Sequence, residues 1–177
     1  MQGEYASIPY ASVTCVKLPD NVTDEQAIVI SDIFPTGYFG ADIAGVSDGD
    51  TLTVFGCGPV GQFAITSAFI MGVGRVFAVD RCPDRLHIAR AQGEVVNFDE
   101  ENPVGTIQEL TGGIVTDRVI EAVGMDAEAP GGERDEQDTS QVAPEQNPQG
   151  DNWHPGGAPS QSAQWTTEAV CKAGPSA

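Results

Sequence analysis

The chain has 177 residues, enough for one domain with a packed core, and carries a formal charge of −18 from 26 acids against 8 bases. Such a surface argues against nucleic acid or anionic membranes as partners. The acid excess reads either as plain solubility or as the surface of a halophilic host.

Residues 4–18 alternate loosely between apolar and polar and contain Pro9, which predicts one or two short edge-type strands. Thr23-Asp-Glu-Gln26 resembles a capping box and opens a helix through about Ser31. Asp32-Ile-Phe-Pro-Thr-Gly37 interrupts it, and a second short helix runs from about Gly37 to Ala44. Ser47-Asp-Gly-Asp50 is a turn into a buried strand, Thr51-Leu-Thr-Val-Phe55. The next helix carries Val60, Phe63, Ala64, Ala68 and Met71 at helical spacing, and Arg75–Val79 forms the second strand. Pro83 starts a helix that stops at Gly93, 94–98 is the third strand, Pro103 starts a helix ending at Gly112-Gly113, and 117–123 is the fourth strand. This alternation predicts an α/β fold, an incomplete Rossmann-type parallel sheet in the order 3-2-1-4.

The stretch 127–164 differs. It is dense in Pro, Gly, Gln and acids and has only Val142 and Trp153 as large apolar residues, so it reads as a long acidic loop. Its first half is expected to be mobile, while Asn147-Pro-Gln-Gly-Asp-Asn-Trp-His-Pro155 looks like defined turn chemistry anchored by Trp153. After it, Trp165, Ala169 and Ala173 share one helix face, with Gly174-Pro175 as the stop. A fold of this class has six strands, and strands five and six find no counterpart in the sequence.

Between the first two strands lies Gly56-Cys-Gly58-Pro-Val-Gly61, and Asp80 closes the second strand nineteen residues after Gly61. Strand, G-x-G-x-x-G, helix, strand and acid together form a dinucleotide-binding context. Gly56 allows the tight turn, Gly58 lets the backbone approach a pyrophosphate, and Gly61 lets helix and strand pack closely. The helix N-terminus presents unpaired N–H groups and a partial positive charge to phosphate. Asp80 is placed to accept from ribose hydroxyls and to repel a 2′-phosphate, which favours NAD over NADP. Arg81 and Arg85 oppose that preference, because either can pair with a phosphate.

Cys15, Cys57, Cys82 and Cys171 lie far apart with no C-x-x-C spacing, so neither a zinc knuckle nor a redox dithiol is indicated. No basic region followed by an apolar run opens the chain, and no apolar segment reaches about 18 residues. A cytoplasmic setting is the expectation. His87 and His154 read as surface histidines, and Asp32, taken alone, as a helix cap.

At Asp32-Ile-Phe-Pro-Thr-Gly-Tyr38 a more specific resemblance appears. The chain resembles the medium-chain, zinc-dependent alcohol dehydrogenases, and among them the glutathione-independent formaldehyde dehydrogenases and their aldehyde-dismuting relatives. The likeness runs from about Gly3 to Gly174. It implies that Asp32 is a carboxylate ligand of a catalytic zinc and that Thr36 lies near the nicotinamide. Gly56, Gly58, Pro59, Val60, Gly61, Asp80, Arg85, Ala122 and Val123 match cofactor positions, and the acidic loop matches an insertion that closes over the cofactor. Glu128 and Pro130 stand where that pattern has basic or imidazole groups.

The resemblance implies three parts: a remnant of a GroES-like, small-barrel catalytic domain in 1–18, connecting helices in 19–50, and the dinucleotide-binding domain in 51–177. It also implies hydride transfer between an alcohol or aldehyde hydrate and NAD, a zinc cofactor in the complete enzyme, and a homo-oligomeric parent. The remaining zinc ligands of such enzymes have no counterpart here. Three readings stay open: a fragment of such a dehydrogenase, a catalytically inactive NAD-binding module, and a non-functional truncated product.

The charge carries its own expectation. Self-repulsion at −18 is screened by salt, so the thermal midpoint should rise between low and molar salt. A salt-independent midpoint would contradict this.

Overall fold

The computed structural model describes residues 5–142 and 155–170. Its centre is a four-stranded, all-parallel sheet in the order β3-β2-β1-β4, built from β1 (Thr51–Phe55), β2 (Arg75–Asp80), β3 (Glu94–Asn97) and β4 (Arg118–Glu121). Leu52 pairs with Val76 on one side and Arg118 on the other, and Phe77 pairs with Glu94. The central strands β1 and β2 are buried at every residue but their first, as a parallel sheet covered on both faces requires.

Period-two alternation divides the core. Leu52, Val54, Val76 and Ala78 face α4 (Pro59–Ile70) and α5 (Pro83–Ala89), where Ala64, Ile65, Ala68, Leu86 and Ala89 meet them. Phe55, Phe77, Val79 and Val96 face α6 (Pro103–Leu110) and α8 (Gln161–Ala169), meeting Val104, Ile107, Trp165 and Ala169. The chain winds from β1 outward to β3, then returns across the other face to place β4 beside β1. The order therefore reverses between β1 and β4, and a crevice opens beyond their carboxyl ends. Among the described residues no helix is long and apolar enough to cross a membrane.

The capping box forms as expected at α2 (Asp24–Ile30): Thr23 Oγ1 accepts from the Gln26 N–H, and Gln26 Oε1 accepts from the Thr23 N–H. The next helix starts earlier than the sequence suggested. α3 spans Ile33–Ile43, because Pro35 falls in the first turn, where its missing N–H costs nothing. Gly37 sits where α3 crosses α4. A Cβ there would lie 2.7 Å from the Ala64 backbone nitrogen, and Phe34 meets Phe63 edge-on at 5.5 Å beside it.

Three expectations need correction. The predicted strands of 4–18 are absent from the described part of that stretch. It carries one helical turn, α1 (Ala11–Thr14), with Tyr5, Val13 and Val16 exposed. An isolated strand has no ladder partner, whereas a turn satisfies its own backbone, here through Thr14 N–H to Tyr10 O and Cys15 N–H to Ala11 O.

The stretch 127–164 is not a featureless loop in its described part. It holds α7 (Glu136–Val142) and the start of α8. Asp135 accepts from the Asp138 N–H at the start of α7, Asp138 holds the Ser160 backbone N–H at 2.7 Å, and Gly157 O accepts from the Asp135 N–H. Polar anchors do what apolar burial was not available to do.

Finally, α8 ends at Ala169 rather than near Gly174. Val170 is extended and bridges in parallel to Thr116. The expectations for Asn147, Pro148, Trp153, His154, Cys171, Ala173, Gly174 and Pro175 fall outside the described residues.

One ion pair fastens β3 to β2. The Arg75 guanidinium donates to both oxygens of Glu94, at 2.6 and 3.0 Å, while also reaching Leu110 O and lying 4.5 Å from the Phe77 ring centre. The hydrogen bond from Arg75 holds the Glu94 carboxyl below its usual range.

Two measurements follow from this packing. Gly37→Ala should destabilise by about 1–3 kcal/mol in urea unfolding, since α3 must move off α4. Glu94→Gln should cost about 0.5 kcal/mol at neutral pH, because both partners are largely exposed. The Glu94 pKa is lowered on folding, so its contribution is present above the unfolded carboxyl value and is lost as pH falls through the folded one. The gap to the parent should therefore narrow as pH falls below the ordinary glutamate value of about 4.3.

Candidate functional site

At the end of β1 the backbone turns into the left-handed region at Gly56, with φ of 89°. A Cβ there would lie 2.7 Å from Val123 Cγ2, and a Cβ on Gly61 would lie 1.8 Å from Gly56 O. Only glycine allows this approach of α4 to the turn. A Cβ on Gly58 would meet nothing within 4 Å, because that position opens onto the crevice. Pro59, Val60 and Gly61 form the first turn of α4, where helix N–H groups lack intrahelical partners.

Asp80 ends β2 and is only 5% exposed. Its Oδ2 accepts from the Cys57 N–H at 2.7 Å, and its Oδ1 accepts from the N–H groups of Arg81 and Cys82 at 2.7 and 2.8 Å. The Arg85 guanidinium lies 3.7 Å from Oδ2. A carboxylate has about four acceptor positions, so three are taken and about one faces the crevice. Burial, reinforced by the Asp80 charge and partly opposed by Arg85, pushes the Cys57 thiol up to about 12. That thiol is a packing group rather than a nucleophile.

The opposite wall comes from the end of β4. Glu121 Oε1 accepts from the N–H groups of Val123 and Gly124 at 2.8 and 2.7 Å and from the Ser162 hydroxyl at 3.0 Å. One carboxylate thus shapes the Ala122–Gly124 turn and ties it to α8. The aromatic floor joins Phe55, Phe98 and Trp165, with Trp165 stacked 6.1 Å from Phe55 and tilted 5.3 Å from Phe98. The half-open cavity measures about 370 Å³, within the usual range for small-molecule sites.

The structure therefore gathers Gly56, Gly58, Asp80, Arg85, Ala122 and Val123 around one cavity, with Pro59, Val60 and Gly61 directly behind it. Sequence reasoning missed Glu121, Ser162 and Phe98 as parts of this site and saw Trp165 only as a helix-face residue. The signal for Glu121 was present: an acid closing a strand immediately before Ala-Val-Gly.

Asp32 and Thr36 stand apart from the cavity lining. Asp32 occupies the N-cap position of α3, and its Oδ1 accepts from the Thr36 hydroxyl at 3.0 Å. No group of three or more His, Cys, Asp or Glu side chains with metal-binding geometry occurs among the described residues, so those residues do not fit a zinc centre. The cavity does fit a dinucleotide: it joins an open glycine cradle, a helix start and a buried acceptor.

Comparison with known proteins agrees with this geometry. The zinc-binding dehydrogenase family matches residues 59–129. An uncharacterized zinc-type alcohol dehydrogenase-like protein of Bacillus subtilis, AdhB, is 45% identical over 130 residues, which is 71% of this chain and 34% of the relative. A glutathione-independent formaldehyde dehydrogenase of the same organism is 38% identical over 139 residues, 73% of this chain and 33% of the relative. Among solved structures, alcohol dehydrogenase TADH from Thermus sp. ATN1 superposes with a TM-score of 0.63 at 38% identity, over 67% of this chain and 35% of that one. The chain spans about a third of the length of the curated relatives it matches. Over the matched region the chain is similar to the medium-chain, zinc-type alcohol dehydrogenases.

Proposed function

We propose that this chain supplies the NAD-binding part of a dehydrogenase that interconverts a small alcohol, or an aldehyde hydrate, with its carbonyl product. The observation that carries this reading is the cavity at the reversal between β1 and β4, where the Gly56–Gly61 turn faces the buried Asp80. The 38% identity to a formaldehyde dehydrogenase favours the formaldehyde-type branch. On the same reading the parent is a cytoplasmic homo-oligomer, and the acid-rich surface suits a halophilic host.

The chain's own residues divide the work of binding. Gly58 admits the pyrophosphate to the backbone, and the first turn of α4 supplies N–H groups and a partial positive charge to it. Asp80 accepts from a ribose hydroxyl through its remaining acceptor position. A 2′-phosphate there would meet a carboxylate of like charge. Phe55, Phe98 and Trp165 form the floor, and the Ala122–Gly124 turn held by Glu121 closes the far wall. Bound in this cleft, NAD would supply the hydride acceptor of the reaction. Asp32 brings one carboxylate toward a metal, and the described residues do not assemble a zinc centre around it.

A second reading, an NAD-binding module without turnover, is favoured by that incomplete ligand set. Calorimetric titration followed by an alcohol-dependent NADH assay distinguishes the two. NAD should bind in the micromolar range and NADP at least about tenfold more weakly. Asp80→Asn, which keeps the shape and removes the charge, should narrow that gap. Equal binding of NADP by the unaltered chain would overturn the specificity. Binding without NADH formation would favour the module.

A further inference from the structure

Two arginines follow Asp80 closely, and either would ordinarily welcome a 2′-phosphate. The structure shows both already committed. Arg85 leans on Asp80 itself. Arg81 lines the same cavity but is engaged by a different acid: its Nε lies 3.1 Å from Asp99 Oδ2, and its guanidinium carbon lies 5.8 Å from the centre of the Phe98 ring.

Asp99 is well held for this task. Its own N–H donates to Asn97 Oδ1 at 3.1 Å, which fixes the turn after β3. Its Oδ1 accepts from the Gly131 N–H at 2.8 Å, leaving Oδ2 to face Arg81. Gly131 lies in the short 3-10 turn Pro130–Gly132, where its φ of 72° suits glycine. A Cβ on the neighbouring Gly132 would come within 3.6 Å of the Arg81 guanidinium, so that turn also walls the arginine in.

We propose that Asp99 is a specificity-determining residue of the dinucleotide cleft: it withholds the Arg81 guanidinium from the ribose 2′ position and so keeps NADP out. The proposal rests on the dinucleotide reading of the cleft and deepens it. Asp80 alone provides repulsion at that position. Asp99 removes the cation that would compensate it, and two changes in the same direction discriminate better than one. The Arg81 side chain stems from the residue whose N–H binds Asp80, so a released guanidinium begins its reach at the ribose side of the crevice. The pair is only partly buried, with side chains 37% and 28% exposed, so it can be opened without dismantling the core.

The test is calorimetric titration of NAD and NADP into the full chain and its variants. Asp99→Asn preserves shape and the acceptor for Gly131 while removing the charge that holds Arg81. NADP affinity should rise by about tenfold, the size of one charge-assisted hydrogen bond, while NAD affinity changes by less than about twofold. Glu100→Gln is the control. It makes the same charge change one residue away, at a carboxylate bonded to Asn97 rather than to Arg81, and should leave the ratio unchanged. Adding Arg81→Ala to Asp99→Asn should abolish the gain, and Arg81→Ala alone should leave NADP binding near the parent's. Equal shifts from Asp99→Asn and Glu100→Gln, or a gain that survives loss of Arg81, would overturn the proposal. So would NAD binding with an unchanged ratio in Asp99→Asn, and that result leaves the dinucleotide reading standing. If the unaltered chain binds neither nucleotide, both fall together.

Discussion

The Asp80 carboxylate is the joint on which the crevice is built. It gathers N–H groups from Cys57, in the turn after β1 and 23 positions away, and from Cys82, at the start of α5, into one buried acceptor. Without that shared acceptor the Cys57 and Cys82 N–H groups would be buried or half-buried donors lacking partners, at about 1–3 kcal/mol each. The helix on either side of β2 would also lose the fixed start that aims it at the cavity. The residue proposed to select the cofactor is thus also the residue that sets backbone geometry. Glu121 repeats the device across the crevice, where one oxygen gathers Val123, Gly124 and Ser162.

The scarce cations follow a related rule. Lys17, Arg75, Arg81, Arg85 and Arg118 each lie beside a carboxylate. In a chain with 26 acids and 8 bases, few positive charges are left over to attract anions without discrimination. Affinity for a phosphate-bearing ligand has to come from backbone N–H groups and a helix start, which recognise shape as well as charge.

The centre of this fold was legible because its physics is local. Thr51–Phe55 and Arg75–Asp80 are largely apolar runs bounded by turns, and Pro83 and Pro103 each open a helix as expected. The misreadings fall where local signals need a partner. Alternation in 5–18 says "strand" only if another strand lies beside it, and none does among the described residues. Pro35 was read as an interruption, yet in a first turn it is compatible with the helix. The helix at Glu136 was hidden by composition, though Asp135 three residues before Asp138 is itself a capping signal. Of the site, the glycines and Asp80 were visible as a motif. Phe98 was not, and Arg81 was visible only as a cation able to meet a phosphate, because the rings and charges around them are brought together from separate strands.

The pair of hydroxyls behind β4 has a bearing on how the cavity comes to exist at all. Thr53 and Thr116 meet at 3.1 Å, and Thr116 in turn holds Ala169 O at 3.0 Å, linking partners 63 and 53 positions apart along the chain. Buried hydroxyls of this kind are satisfied only when all three segments arrive, so β1, the approach to β4 and the end of α8 consolidate as one cooperative unit. Such distant pairings form slowly, since the intervening chain must first surrender its loop entropy. Trp165 travels with α8. The aromatic floor therefore forms together with the pairing of β1 and β4, and a chain that fails to seat α8 would have no pocket to offer a ligand.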